Sequence, residues 1–142
     1  MTTNRSSVTS GTKWEKLAGY ARAVRVGNHI WVSGTTATNG EGTLVGVGDP
    51  AAQMRFVLSK IELALGQLGA SLKDVVRTRV YVSDIAHWEP VARVHGEVFA
   101  EIQPANTLVE SRLVGAEYLV EVEAEAVIVI DEVTHSNYNL SQ

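Results

Sequence analysis

The hydrophobic pattern of this 142-residue chain predicts an α+β fold, one mixed β-sheet with two helices packed on a single face. Three features carry that prediction. Five stretches alternate apolar and polar residues with period two, two longer stretches repeat apolar residues at helical spacing, and their order is ββ, α, β, α, ββ.

The segment ARAVRVGNHIWVSG, residues 21–34, alternates on both sides of Gly27-Asn28, a hairpin-turn composition, and reads as two strands. After a Gly-rich loop, Asp49 as N-cap and Pro50 as first helical residue open a helix. Its core face is Met54, Val57, Leu58, Ile61, Leu65 and Leu68, and Gly69 closes it. DVVRTRVYVSD, residues 74–84, returns to period two, with Val76, Thr78, Val80 and Val82 on one face and Arg77, Arg79 and Tyr81 on the other. Trp88, Val91, Val94, His95, Val98, Phe99 and Ile102 mark the second helix; Pro90 fits only in its first turn and Pro104 ends it. The last two strands fall at about 107–113 and 118–130. The Ser- and Thr-rich residues 1–11 and the closing THSNYNLSQ show no periodicity, and read as a loose arm and tail. The expected organisation is a single domain over 1–142 with an ordered core at about 14–132.

Composition narrows the function classes. There is no cysteine, which excludes disulfides, thiol nucleophiles and thiolate metal sites and makes the reducing cytoplasm the expected compartment. Sixteen acidic residues against 12 basic give a formal charge of -4, which opposes binding to a phosphate backbone, so nucleic acid is not an expected partner. No apolar run reaches the roughly 18–20 residues of a membrane span, and MTTNRSSVTSG lacks the apolar centre of a secretory signal. No membrane partner is expected.

Several motifs carry less than they suggest. Gly46, Gly48 and Ala51 fit a loose G-x-G-x-x-A at a helix start, but Asp49 would put negative charge where a phosphate should sit. His29, His87, His95 and His135 form neither an H-x-H nor an H-E-x-x-H pair, so no metal site is read. Ser33 lies in VSGTT, outside any G-x-S-x-G elbow, and His95-Gly96-Glu97 reads as the polar edge of a packed helix. The last strand poses the functional question. Val120, Val122, Ala124, Ala126 and Ile128 point to the helices, while Glu121, Glu123 and Glu125 point to the uncovered face. Either these carboxylates line a solvated face, or one of them is held in a cleft for chemistry.

In order and spacing, AGYARAV, NHIWVSGTTAT, SLKDVVRTRVYVSD, VHGEVF, PANTLVE and LVEVEAEAV resemble the Rid family, the reactive intermediate deaminases also called the YjgF family, from about Leu17 to Val129. The resemblance implies a chorismate-mutase-like fold, a homotrimer whose sheets face one another around the axis, a ligand cleft at each subunit interface, and no cofactor. It also implies a small-molecule substrate, a reactive enamine or imine derived from an amino acid, hydrolysed to a keto acid and ammonia. Glu121, the first glutamate of VEVEA, matches the family's glutamate that positions and activates water. Hydrolysing C=N requires a base for water and a proton donor for the departing amine, and one carboxyl group can alternate between these roles. Burial against a neighbouring subunit would raise its pKa toward that task. Tyr20 matches the cleft tyrosine, and Ser33-Gly34 the strand end whose backbone contacts the ligand.

Two positions depart from the pattern. The typical deaminase carries arginine directly after Pro-Ala, a fork that grips the substrate carboxylate, and here Asn106 stands there. Leu108 replaces a frequent cysteine, making the pocket more apolar. Arg93 is the candidate for the missing cation, the alternative being a solvated helix arginine, and Arg22 is a weaker substitute. The expectation is a deaminase-like hydrolase for an enamine or imine larger or less acidic than the standard imino acids, an aminomuconate-type product fitting the range. The alternative is a non-catalytic protein that binds or senses a small ligand in the same cleft. RNA cleavage or translation inhibition, also known among relatives, is opposed by the charge and by the lack of aromatic-basic clusters.

Overall fold

The structure is a computed structural model and describes residues 4–130. In chain order its elements are β1 (Arg5–Val8), α1 (Lys13–Ala18), β2 (Ala23–Val26), β3 (His29–Thr35), α2 (Pro50–Gln67), β4 (Val75–Val82), α3 (Trp88–Phe99), β5 (Ala105–Glu110) and β6 (Val120–Val127). The strands form one sheet in the order β1-β2-β3-β6-β4-β5, antiparallel throughout except for β4 and β5, which α3 joins by a crossover.

The two long helices form where the periodicity places them. Asp49 caps α2 by accepting from the Ala52 amide at 3.0 Å, and Met54, Val57, Leu58, Ile61 and Leu65 are buried. Pro90 lies in the first turn of α3, which buries Val91, Val94 and Phe99 but leaves Trp88 exposed. Both helices pack on the face formed by Ile30, Val32, Val80, Val82, Val120, Val122, Ala124 and Ala126. Each such aliphatic side chain, fully buried, contributes about 1.5–3 kcal/mol.

The differences from the sequence reading have local causes. Residues 5–8 are not part of a loose arm: β1 pairs with β2 from Arg5↔Val26 to Val8↔Ala23, and as an exposed edge strand it needs no apolar alternation. Lys13–Ala18 is a short helix opened by a capping box, Thr12 and Glu15, and closed by Gly19 at φ 74°. In β4, Val75 pairs with Ala126 and Arg77 with Glu125, so one extra residue bulges. The bulge shifts the alternation by one: Val75 is buried and Val76 is 45% exposed, the reverse of strict period two. The closing THSNYNLSQ lies outside the described residues. Among the described residues no helix is long and apolar enough to cross a membrane.

Candidate active site

The β6 glutamates are not equivalent. Glu125 receives the Arg79 guanidinium at 2.8 Å, and Glu123 accepts from the Tyr81 hydroxyl at 2.7 Å with Arg79 at 3.8 Å. Those two are spent on cross-strand pairs. Glu121, opposite Tyr81, has no hydrogen-bond or ion-pair partner among the described residues. It is half-buried, and burial pushes its pKa up from the ordinary carboxylate value; Arg22 pulls it back and Glu123 adds to the rise.

A second bulge explains how a carboxyl can sit there. Val32 pairs with Ala124 and Thr35 with Val122, so Ser33 and Gly34 lie at a register shift within β3, Gly34 against Glu121. A Cβ on Gly34 would come within 3.1 Å of the Glu121 carboxyl carbon. Glycine therefore lets the side chain lie against the backbone. Ser33 serves the scaffold: its hydroxyl donates to the Ala21 carbonyl at 2.7 Å, which removes it as a nucleophile.

Glu121 opens into a hollow of about 260 Å³ whose walls include Trp14, Tyr20, Gly34, Val114 and Tyr118. Trp14 comes from α1 and packs edge-on against Tyr118, with ring centroids 5.8 Å apart. Gln53, buried on α2, fixes the approach to β6: its amide donates to the Glu117 carbonyl at 3.1 Å and accepts from the Leu119 amide at 2.9 Å. Tyr118 accepts from the Thr38 hydroxyl at 3.1 Å. Tyr20, 37% exposed, carries the Arg22 guanidinium 5.6 Å from its ring centroid.

Arg22 is not a free cation. It is buried and paired with buried Glu15 at 3.1 Å, and it donates to the Gly34 carbonyl at 2.6 Å, to Thr35 Oγ1 at 3.1 Å and to Ser10 Oγ at 3.2 Å. This corrects its reading as a substitute substrate anchor: the charge is paired and four of its five N–H donors are engaged within the fold. Burial would raise the Glu15 pKa, but hydrogen bonds from Ser10, Thr12 and Arg22 outweigh it and hold the group at about 2. Beyond Arg22 lies another hollow of about 330 Å³, where Lys60 donates to the Thr36 carbonyl at 2.9 Å and burial, with Arg22 alongside, presses its pKa to about 8. Among the described residues no carboxyl lines that hollow.

Asn106 and Leu108 do not join Glu121 within one chain. They stand in register with Thr78 and Val80, on the helix side of the edge strand β5, whereas Glu121 projects to the opposite face. With His95 they border a smaller hollow of about 190 Å³. The Asn106 amide donates to Thr78 Oγ1 at 3.0 Å, which in turn bonds His95 Nε2 at 2.8 Å; burial lowers the His95 pKa. Arg93 lines neither hollow and pairs instead with Glu89 at 3.2 Å on the exposed side of α3.

Of the residues singled out in the sequence, Tyr20, Gly34 and Glu121 line one hollow, while Trp14 and Tyr118 in its walls, and Glu15 and Gln53 behind them, were not singled out. Thr12-x-x-Glu15 was a readable capping-box signal for the helix that carries Trp14. Nothing in the pattern marks Gln53 except a polar residue on an apolar helix stripe. No group of three or more His, Asp or Glu converges as for a metal among the described residues.

Fold and site together define a small α+β protein with one unpartnered carboxyl at an aromatic-walled hollow. Residues 11–128 match the family model described as Endoribonuclease L-PSP, and the chain belongs to this family, the Rid or YjgF family, with its chorismate-mutase-like fold. SCO2049 of Streptomyces coelicolor, an uncharacterized protein, is 38% identical over 120 residues, 84% of this chain and 89% of that one. RutC of Acinetobacter baylyi, a 3-aminoacrylate deaminase, is 36% identical over 110 residues, 78% of this chain and 87% of that one. The crystal structure of Rv2704 from Mycobacterium tuberculosis, a YjgF/YER057c/UK114 family member, matches with a TM-score of 0.79 at 46% identity, covering 87% of this chain and 99% of that one.

Proposed function

We propose that this protein is a cytoplasmic deaminase-like hydrolase that converts the C=N bond or enamine of a small reactive metabolite to a carbonyl and ammonia. The observation that carries the reading is Glu121, alone of the three β6 glutamates in having no partner, half-buried over Gly34 in an aromatic-walled hollow. Ionised, Glu121 takes a proton from water as its oxygen bonds to the imine carbon. The resulting acid gives that proton to nitrogen, forming a carbinolamine, and Glu121 then moves the hydroxyl proton to nitrogen as the C–N bond breaks and the carbonyl forms. Water thus supplies the carbonyl oxygen, and nitrogen leaves as ammonia. A carboxyl with a raised pKa suits both half-reactions. The 36% identical deaminase RutC supports the reaction class, since 3-aminoacrylate is itself an enamine.

The working cleft is proposed to lie between copies in a homotrimer. Glu121 and Asn106 sit on opposite faces of the sheet, so they can meet only across a subunit boundary. Trp31, 45% exposed, and Val109 lie on the face that no helix covers, where a neighbour would bury them. The same face carries Glu121, Glu123 and Glu125 in a chain of net charge -4, which disfavours a phosphate-backbone substrate.

Asn106 favours a second reading, a cleft retained for binding or sensing without turnover, because the amide lacks the charge of the usual arginine. Two variants separate the readings. Asn106→Arg is expected to raise kcat/KM for 2-iminobutyrate by about 10- to 100-fold, the worth of a charge-assisted fork, measured by ammonia release. Absence of any gain in a folded variant would show that the arginine is not the determining difference. Gly34→Ala is expected to displace the Glu121 carboxyl and lower kcat/KM by up to about 100-fold, with little change in melting temperature. Full activity in that variant would remove the bulge from the catalytic geometry.

A further inference from the structure

We propose that the Glu121 hollow selects a cationic, carboxylate-free C=N compound, an iminium flanked by apolar or aromatic groups, over 2-imino acids. This rests on the hydrolytic reading above and narrows its substrate class. The charges lining the hollow decide its sign. Among the described residues Arg22 is the one basic residue lining it and is already paired with Glu15 at 3.1 Å, so ionised Glu121 leaves the site negative. A substrate carboxylate placed there would meet the Glu121 carboxylate and find no free donor fork.

The walls favour a cation for a second reason. Trp14, Tyr20 and Tyr118 line it, and aromatic rings attract positive charge through their quadrupoles. Two of these rings already do so within the chain: Lys13 Nζ stands 5.3 Å from the Trp14 centroid and the Arg22 guanidinium 5.6 Å from that of Tyr20. The edge that carries Asn106 is neutral as well. One of its two amide N–H groups donates to Thr78 Oγ1 at 3.0 Å, and the uncharged amide offers a carboxylate a single neutral hydrogen bond in place of a charged fork, beside an oxygen that accepts from N–H donors. An iminium is also the more electrophilic form of an imine. Water adds to its carbon and Glu121 relays one water proton to nitrogen; as the C–N bond breaks, the remaining hydroxyl proton passes through Glu121 to the released ammonia, giving the carbonyl and an ammonium ion.

The test uses the whole protein and three probes of one shape and different charge: benzylammonium, benzyl alcohol and benzoate. Binding is followed at pH 7.5 by calorimetry and by the Trp14 indole N–H resonance, assigned with Trp14→Phe. Benzylammonium is expected to bind about tenfold or more tightly than benzyl alcohol, with benzoate weakest. Glu121→Gln is expected to erase the gap between cation and alcohol, while Trp14→Leu weakens the cation more than the alcohol. Benzoate binding as tightly as benzylammonium, or a cation preference that survives Glu121→Gln, would overturn the proposal. Ammonia release from imines is measured separately: turnover with the opposite charge order defeats the selectivity alone, and the expected order without turnover defeats the hydrolytic reading alone.

Discussion

Replacing Glu121 with glutamine is expected to lower hydrolysis of enamines and imines by about 100- to 10,000-fold, the usual range for a general acid–base, while the fold is kept. Glutamine is nearly isosteric and still fits over Gly34, but it neither accepts a proton from water nor returns one. The pH profile adds a second signature. Glu121 must be ionised to act as base, so kcat/KM falls as pH drops through its pKa, and burial places that limb above the ordinary value of 4.5. The same raised pKa has a consequence for stability. Folding favours the protonated form, so Glu121 contributes fully below the unfolded-state pKa and loses that contribution as pH rises through its folded pKa. At neutral pH the variant should therefore melt at or above the temperature of the wild type, a catalytic group held at a cost to the fold. A variant that lost activity by unfolding would melt lower.

The second large effect is structural. Glu15→Gln or Arg22→Ala is expected to destabilise the chain by about 3–5 kcal/mol, because each leaves its buried partner without a counter-charge. Glu15 is held at about 2 against an ordinary 4.5. That gap corresponds to about 3 kcal/mol of stability. It is present above pH 4.5 and lost as pH falls toward 2, since the folded state releases the proton that the unfolded state retains. Urea unfolding at pH 7 and pH 3 should thus show the Glu15→Gln deficit shrinking in acid. An equal deficit at both values would mean that the pair does not hold Glu15 ionised. Because Arg22 also grips the Gly34 carbonyl at 2.6 Å, its loss should disturb the site beyond the stability change.

The parts of this fold legible in the sequence are those set by local periodicity. The α2 stripe from Met54 to Leu65 and the β6 alternation from Val120 to Val127 follow from spacing alone, and β6 also delivers Glu121 to the uncovered face. What escaped is non-local or polar. The bulges at Val76 and at Ser33-Gly34 depend on which partner residue is skipped, and a single strand does not encode that. β1 was hidden because its Ser-rich edge lacks a buried face. The site was legible as residues but not as a geometry. Tyr20, Gly34 and Glu121 share a hollow, whereas Asn106 and Leu108 lie across the sheet and Arg93 is engaged by Glu89. Arg22 looked like a spare cation because Glu15, seven residues away, gave no sign of being its partner until the cap of α1 turned it inward.

Ammonia release from freshly generated imines, with and without a carboxylate, measured for the wild type and Glu121→Gln against an enzyme-free blank, tests the role of Glu121 most directly. Wild-type turnover above the blank that falls to the blank in Glu121→Gln, with carboxylate-free imines preferred, is the predicted result. Equal turnover by wild type and variant would contradict it and remove Glu121 from the chemistry.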